Sequence, residues 1–312
     1  MLPFEKTKAE IIFKKKLRIA KQLKAQSADD LLNFGIINLD KPSGPKSIHM
    51  VNKIKSLLEQ PKAGHSGTLD PIVTGVLPIG IGRAVRVLSV LTDAGKVYRG
   101  IMRIHDEVDK AKLQKAFKKF TGVIEQLPPK ISAVKRQLRK REIYWLKILK
   151  VKGKDIEFEV GCEAGTYIRK LCHDIGEHLG VGAHMSALRR IQSGPLKIKD
   201  SVLFEVVKAN YQRYLKTKQS TYIRKIILPP EKVVNHLPKI WIEDKVKEPF
   251  SHGSPIFVPG IIAYTSNLEK NSKTAVFDQQ ANLIGFGISA KSAKELETAE
   301  KGLAIKTDVV LI

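Results

Sequence analysis

Apolar positions along the chain switch repeatedly between a period of two and a period near 3.6, which predicts both strands and helices. Gly35-Ile-Ile-Asn-Leu-Asp40 reads as a short strand, stopped by the turn cluster Lys41-Pro-Ser-Gly-Pro45. Met50, Val51, Ile54, Leu57 and Leu58 then recur at helical spacing, with Ser47 as the candidate N-cap and Pro61 as the stop. A glycine-rich stretch runs from Gly64 to Gly82. Leu113, Ala116, Phe117 and Phe120 mark an amphipathic helix closed by Gly122. Ile156, Phe158 and Val160 alternate with Glu157 and Glu159, a half-buried strand entered through the hairpin turn Lys152-Gly-Lys-Asp155. Ile168, Leu171, Cys172, Ile175 and Leu179 return to the helical period. Without a repeating βαβ rhythm, this mixture predicts an α+β fold and not a doubly wound sheet. Beyond Leu237, short apolar runs separated by Gly and Pro predict a small β-rich module.

A length of 312 residues suits two domains, and 43% hydrophobic with 28% charged residues excludes wholesale disorder. No apolar run approaches the ~18 residues of a membrane span, and charges occupy the N-terminal stretch where a signal peptide needs an apolar core, so an intracellular, cytoplasmic protein is expected. Cys162 and Cys172 are too few for a disulfide framework and lack zinc-site spacing. The formal net charge of +24 points to a polyanionic partner. That charge is segregated: residues 238–312 hold nine Lys and nine acidic residues, so the whole excess lies before them. Residues 130–154 carry ten Lys or Arg against Glu142 alone, with Tyr144 and Trp145 interleaved, a candidate nucleic-acid surface. Residues 1–25 hold eight Lys or Arg and two Glu without one clean apolar face, which suggests a basic arm or a partly ordered helix.

From Gln60 to Thr92 the single carboxylate is Asp70, in the company of Lys62, His65, Arg83 and Arg86. It sits in Gly64-His-Ser-Gly-Thr-Leu-Asp-Pro71, where glycines permit sharp bends and Pro71 stiffens the exit. Taken alone, Asp-Pro is more often a turn than a nucleophile. Competing chemistries fail on spacing. Gly80-x-Gly82 lacks the third glycine of a dinucleotide fingerprint, no phosphate loop or G-x-S-x-G occurs, and His173-Asp-Ile-Gly-Glu177-His178 misses a zinc pattern by one residue. Neither a metal nor a cofactor is expected.

Taken in order, Lys41-Pro-Ser-Gly44, Gly64 to Pro71, Lys96-Val-Tyr98, Gln126-Leu-Pro-Pro129 with Ser132-Ala133, Gly165-Thr-Tyr-Ile-Arg169 and Gly182 to Arg190 resemble the family that joins bacterial tRNA pseudouridine synthase B and dyskerin. The resemblance covers roughly residues 34–200. Leu237-Pro-Lys-Ile-Trp241 and His252 to Gly260 resemble the PUA RNA-binding module that follows it. Ile101 to Val108 resembles the guide-dependent archaeal dyskerin branch, as bacterial enzymes carry a longer insertion there, and no Lys-rich tail of the eukaryotic kind follows.

The resemblance implies an α+β pseudouridine synthase fold with a mixed, mostly antiparallel sheet, followed by a β-rich pseudo-barrel. It implies a basic extension over residues 1–33 that packs with the tail module, a catalytic domain over 34–232 and a PUA domain over 233–312. The implied reaction is isomerisation of uridine in RNA, in which the C–N glycosidic bond breaks and C5 is rejoined to the ribose without a cofactor. Asp70 is then the attacking or assisting carboxylate, and Arg169 its paired cation, facing one pocket with Tyr167 from a strand end. Tyr98 stacks on the base and serves proton transfer, Leu188 closes the other side, and His65 helps extrude the base. Lys41 and Pro42 buttress the loop. Lys135, Arg136, Arg139, Lys140 and Arg141 are expected to meet phosphates, and His252, Gly253 and Gly260 to lie on the loop of the module that reads RNA. Implied partners are an H/ACA guide RNA, substrate rRNA or tRNA, and three small accessory proteins. A stand-alone enzyme of the tRNA T loop and a non-catalytic RNA scaffold are the alternatives.

Overall fold

Two mixed sheets organise the chain in the computed structural model, which describes residues 1–5, 8–20, 25–127 and 137–312. The larger sheet orders its main path as Phe34–Lys41, Thr74–Gly82, Ala183–Ser193, Lys96–Ile104, Asp155–Cys162, Arg139–Lys152 and Gly122–Gln126. Neighbours are antiparallel except where Thr74 and Gly75 run parallel to Arg189 and Arg190. The predicted strand around Phe158 and the predicted helices over Ser47–Leu57, Lys110–Lys119 and Ile168–Leu179 are all present. Their apolar faces share one core, in which Met50, Ile54, Leu113, Phe117, Leu171 and Ile175 meet Phe158 and Val160. Each such large side chain contributes about 1.5–3 kcal/mol on burial, so this core fixes the frame on which the loops are hung.

Ser47 is not the N-cap of its helix. Lys46 holds that position without a side-chain cap, and the Ser47 hydroxyl is engaged elsewhere, with the backbone of Leu69. Among the described residues of the N-terminal arm, Pro3–Glu5 forms a short 3-10 turn and no α-helix precedes Ala28. Ile11–Phe13 forms an edge strand on Ile261–Thr265, because β-branched and aromatic residues favour an extended chain and that neighbour offers free backbone groups. Lys14 reaches the carbonyls of Leu296 and Ala299, and Lys15 pairs with Glu243, so part of the arm's charge is already engaged.

The smaller sheet runs Ile11–Phe13, Ile261–Thr265, Lys239–Ile242, Lys273–Phe277, Leu283–Ser289, Leu303–Val310 and Ile256–Phe257. A second core joins the two sheets: Val76, Val87, Leu88 and Leu91 pack with Val233, Trp241, Phe277 and Phe286. Arg83 and Arg86, which the sequence groups with Asp70, serve this junction, donating to the carbonyls of Leu311 (3.1 Å) and Val310 (2.9 Å). Among the described residues no helix is long and apolar enough to cross a membrane.

Candidate active site

The loop that carries Asp70 links the Ala63–His65 strand to the Thr74–Gly82 strand, with Leu69 and Val73 buried on either side of a half-exposed carboxylate. Four anchors hold it. Ser66 N–H donates to the Pro78 carbonyl at 3.1 Å. The Ser47 hydroxyl accepts from Leu69 N–H at 2.9 Å and donates to the Leu69 carbonyl at 3.0 Å. Lys41 Nζ donates to the carbonyls of Pro42, Pro71 and Val73 at 2.8, 3.0 and 2.9 Å. Gly44 N–H adds a second bond to Pro71, at 2.9 Å. Lys41 is completely buried, and burial lowers the pKa of its ammonium while the charge of Asp70 opposes that shift.

Arg169 pairs through Nη2 with Oδ2 of Asp70, across 99 positions of sequence. Tyr167 and Arg169 do not leave a strand end. The strand stops at Cys162, a turn intervenes, Tyr167 is the N-cap of the Ile168–Leu179 helix, and Arg169 lies in that helix's first turn. A cation at a helix N-terminus faces the positive end of the peptide dipoles, so the Asp70 carboxylate offsets an unfavourable placement. Both groups are about half exposed, which keeps the pair's contribution to stability below about 1 kcal/mol and makes its value geometric.

Gln126, the first residue of the Gln126-Leu-Pro-Pro129 motif, positions Tyr167. Its amide donates to the Tyr167 carbonyl at 3.1 Å and accepts from Tyr167 N–H at 3.0 Å, clasping the start of the helix that bears Arg169. Alternation in Gly122–Gln126 points Val123 and Glu125 outward and buries Gln126, and an inward amide implies a partner. That was the available signal.

Tyr98 lies opposite Arg190, and Gly100 opposite Leu188, on adjacent antiparallel strands, so all four share one face of the sheet. A Cβ at Gly100 would come within 2.9 Å of Leu188 Cδ1, which shows how closely that leucine approaches. Burial pushes the Tyr98 phenol above the ordinary tyrosine value, the charge of Asp70 adds to this, and the Arg190 guanidinium opposes it. His65 is partly buried, with Nδ1 unpartnered among the described residues, and burial followed by the charge of Arg190 holds its imidazole toward the neutral form. The structure thus pairs Asp70 with Arg169, sets Tyr98 and Leu188 on one face of adjacent strands within reach of the Asp70 charge, and places His65 at the start of the loop that Lys41 ties.

The described residues expected to meet RNA lie on the long strand and in the small module. Arg139, Lys140 and Arg141 open the Arg139–Lys152 strand, with Lys140 exposed and the two arginines half-buried. Arg141 lies 3.7 Å from Glu163 and packs its guanidinium against Gly165, in the turn before Tyr167, so it also supports the approach to Arg169. Lys135 and Arg136 lie outside the described residues. His252 ends the Asp244–Ser251 helix of the small module, Gly253 follows with a φ of 86°, and Gly260 is buried against Val246.

Comparison with known proteins bears on this geometry. Residues 55–168 match the N-terminal domain of the TruB family pseudouridylate synthases, residues 169–235 the tRNA pseudouridylate synthase B C-terminal domain, and residues 238–311 the PUA domain. A probable tRNA pseudouridine synthase B of Pyrococcus abyssi is 44% identical over 90% of this chain and 84% of its own length. Its counterpart in Nanoarchaeum equitans is 41% identical over 100% of this chain and 90% of its own. A crystal structure of a Cbf5-Nop10-Gar1 complex contains a chain that superposes with a TM-score of 0.93 at 39% identity, covering 100% of this chain and 96% of that one. A chain of an H/ACA ribonucleoprotein bound to a substrate RNA containing 2'-deoxyuridine superposes with a TM-score of 0.91 at 37% identity, covering 100% and 97%. With motif order, two-sheet architecture and full-length similarity in agreement, the chain belongs to the TruB family of pseudouridylate synthases.

Proposed function

We propose that this chain is the catalytic subunit of a guide-RNA-directed pseudouridine synthase, acting in the cytoplasm on rRNA. The observation that carries the reading is the full-length similarity to chains of H/ACA particles, coupled to the Asp70–Arg169 pair. Asp70 attacks or assists at the target nucleotide, and Arg169 holds its carboxylate in place through the ion pair. The freed uracil turns between Tyr98 and Leu188, C5 bonds to the ribose carbon that N1 leaves, and the C5 proton departs to restore the ring. Tyr98 is the side chain proposed to relay that proton, its hydroxyl accepting it as it gives up its own, and N1 gains the proton that C5 loses, so the isomerisation balances, while His65, held neutral, packs against the emptied stack. Exposed Lys140 and its neighbours contact phosphates, and the neutral PUA module reads the guide RNA by shape and base contacts through the loop of His252, Gly253 and Gly260. Small accessory proteins of the Nop10 and Gar1 kind complete the particle. A stand-alone action on the tRNA T loop is the second reading, favoured by the tRNA names of the relatives.

The deciding assay incubates the chain with substrate RNA or tRNA, with and without guide RNA and accessory proteins, and measures uridine conversion. Conversion of rRNA substrate only with guide is the expected result, and full conversion of tRNA without guide overturns the first reading in favour of the second. Asp70→Asn is expected to abolish conversion while RNA affinity stays within a few-fold. Retained conversion excludes Asp70 as the reacting carboxylate.

A further inference from the structure

Arg190 is 1% exposed, yet it carries a guanidinium. Its Nε donates to the Val76 carbonyl at 2.7 Å and its Nη2 to the Gly67 carbonyl at 2.9 Å, so it spans from the Thr74–Gly82 strand to the loop of Asp70. The fit on both sides is close. Gly67, at a φ of 74°, would bring a Cβ to 3.2 Å from Arg190 Nη1, and Gly75, at 104°, would bring one to 2.2 Å from the Arg190 carbonyl oxygen. The carboxylates nearby are engaged with other arginines, Asp70 with Arg169 and Asp40 with Arg189, which leaves Arg190 without a carboxylate partner among the described residues. Burying a charge against carbonyls alone is costly, and a neutral donor would satisfy the same two oxygens more cheaply. The side chain directly across the strands is Tyr98, and the guanidinium reaches its phenol as well as the two carbonyls.

We propose that Arg190 is a positioning residue for the isomerisation: it ties the Asp70 loop to the sheet and presents an unbalanced positive charge to the back of the Tyr98 phenol. The inference rests on the pseudouridine synthase reading and adds to it a buried group that acts through the Asp70 loop and Tyr98. The groups facing this phenol act in both directions. Burial, Cys162 and Asp70 raise its pKa, and Arg190 lowers it. Two further basic groups feel the same guanidinium: the His65 imidazole, and Lys96, buried with its ammonium on the carbonyls of Leu91 and Ala94 and brought down to about 8. Arg190 is thus the cation through which loop, phenol and imidazole communicate.

The test uses the full chain with guide RNA, substrate RNA and accessory proteins, and compares Arg190→Lys and Arg190→Met with the native protein. Single-turnover conversion, RNA affinity and titration of Tyr98 by NMR of ring-labelled tyrosine are measured, with Tyr98→Phe assigning the signal. Both variants are expected to lose about 10²-fold in rate while RNA affinity changes by less than about threefold, because a misplaced reacting group costs rate and not ground-state binding. Tyr98 is expected to titrate at higher pH in Arg190→Met than in the native chain, with Arg190→Lys between them. A role in folding alone would not produce that graded order. Native-like turnover in either variant, or an unmoved phenol in Arg190→Met, overturns the proposal. If Arg190→Met does not fold, Arg190→Lys decides by the same two readouts. Failure of the native chain to convert any RNA counts against the functional reading, and the tyrosine titration still decides on Arg190.

Discussion

Replacing Lys41 by Met removes the ammonium that ties the Pro71–Val73 end of the Asp70 loop to the turn at Pro42 while keeping most of the side-chain volume. The lysine is fully buried, and its Nζ donates to three carbonyls, those of Pro42, Pro71 and Val73. Pro71 keeps the bond from Gly44 N–H at 2.9 Å, so the substitution strands two acceptors and not three. Each stranded acceptor costs about 1–3 kcal/mol, and removing a desolvated charge returns part of the sum, which leaves a net loss of about 3 kcal/mol. For a chain of this length that corresponds to a fall of roughly 6 °C in the melting midpoint. The loop also loses its common anchor, so single-turnover conversion is expected to drop about 10²-fold with guide-RNA affinity unchanged. Thermal melting by circular dichroism and single-turnover conversion are the paired assays. A Lys41→Met protein that melts and turns over like the native chain refutes the reasoning, since the three carbonyls would then need no donor.

Gln126→Leu leaves the N–H and carbonyl of Tyr167 without the amide, at a cost of about 1–3 kcal/mol for each group that stays dry, and is expected to slow conversion at least tenfold by releasing the first turn that carries Arg169; turnover at the native rate argues against the clasp. His236 is buried with its Nε2 on the Val90 carbonyl, and burial brings its imidazole down to about 4 from an ordinary 6.5. As pH falls from 6.5 toward 4 the unfolded chain takes up a proton that the folded chain refuses, so stability declines across that window by about 3 kcal/mol. Urea midpoints measured over the window in the native chain and in His236→Gln check this, and identical slopes in the two proteins refute it. Lys140→Ala removes an exposed cation at the start of the long strand, so the slope of log affinity against log salt is expected to shrink by about 1 with sequence preference intact; an unaltered slope means that Lys140 meets no phosphate.

Much of the local structure is legible in the chain because its causes are local. The Ile168–Leu179 helix follows from one apolar stripe ended by Gly180, which takes the left-handed conformation at a φ of 75°. The Asp155–Cys162 strand follows from strict alternation after a tight turn at Gly153. The charge boundary near residue 237 and the order of the glycine- and proline-marked motifs are equally properties of the chain, and it is the family resemblance those motifs carry that nominates Asp70, Tyr98 and Arg169.

What each polar group meets is another matter, because its partner stands at a distance no periodicity encodes. Ser47 looks like a helix cap and instead holds Leu69, 22 positions away. Arg83 and Arg86 look like companions of Asp70 and instead grip the last residues of the small module. Arg190 looks like one more surface charge in a basic chain, and the crossing of two strands buries it 114 positions from the carbonyl it holds. Side-chain periods and turn residues write the elements, since a helix or strand is stabilised within a few residues of itself. Which cation is buried, and which acid it faces, is decided by strand order and by the rule that a buried polar group must find a partner, and both of these exist only once the chain has closed on itself.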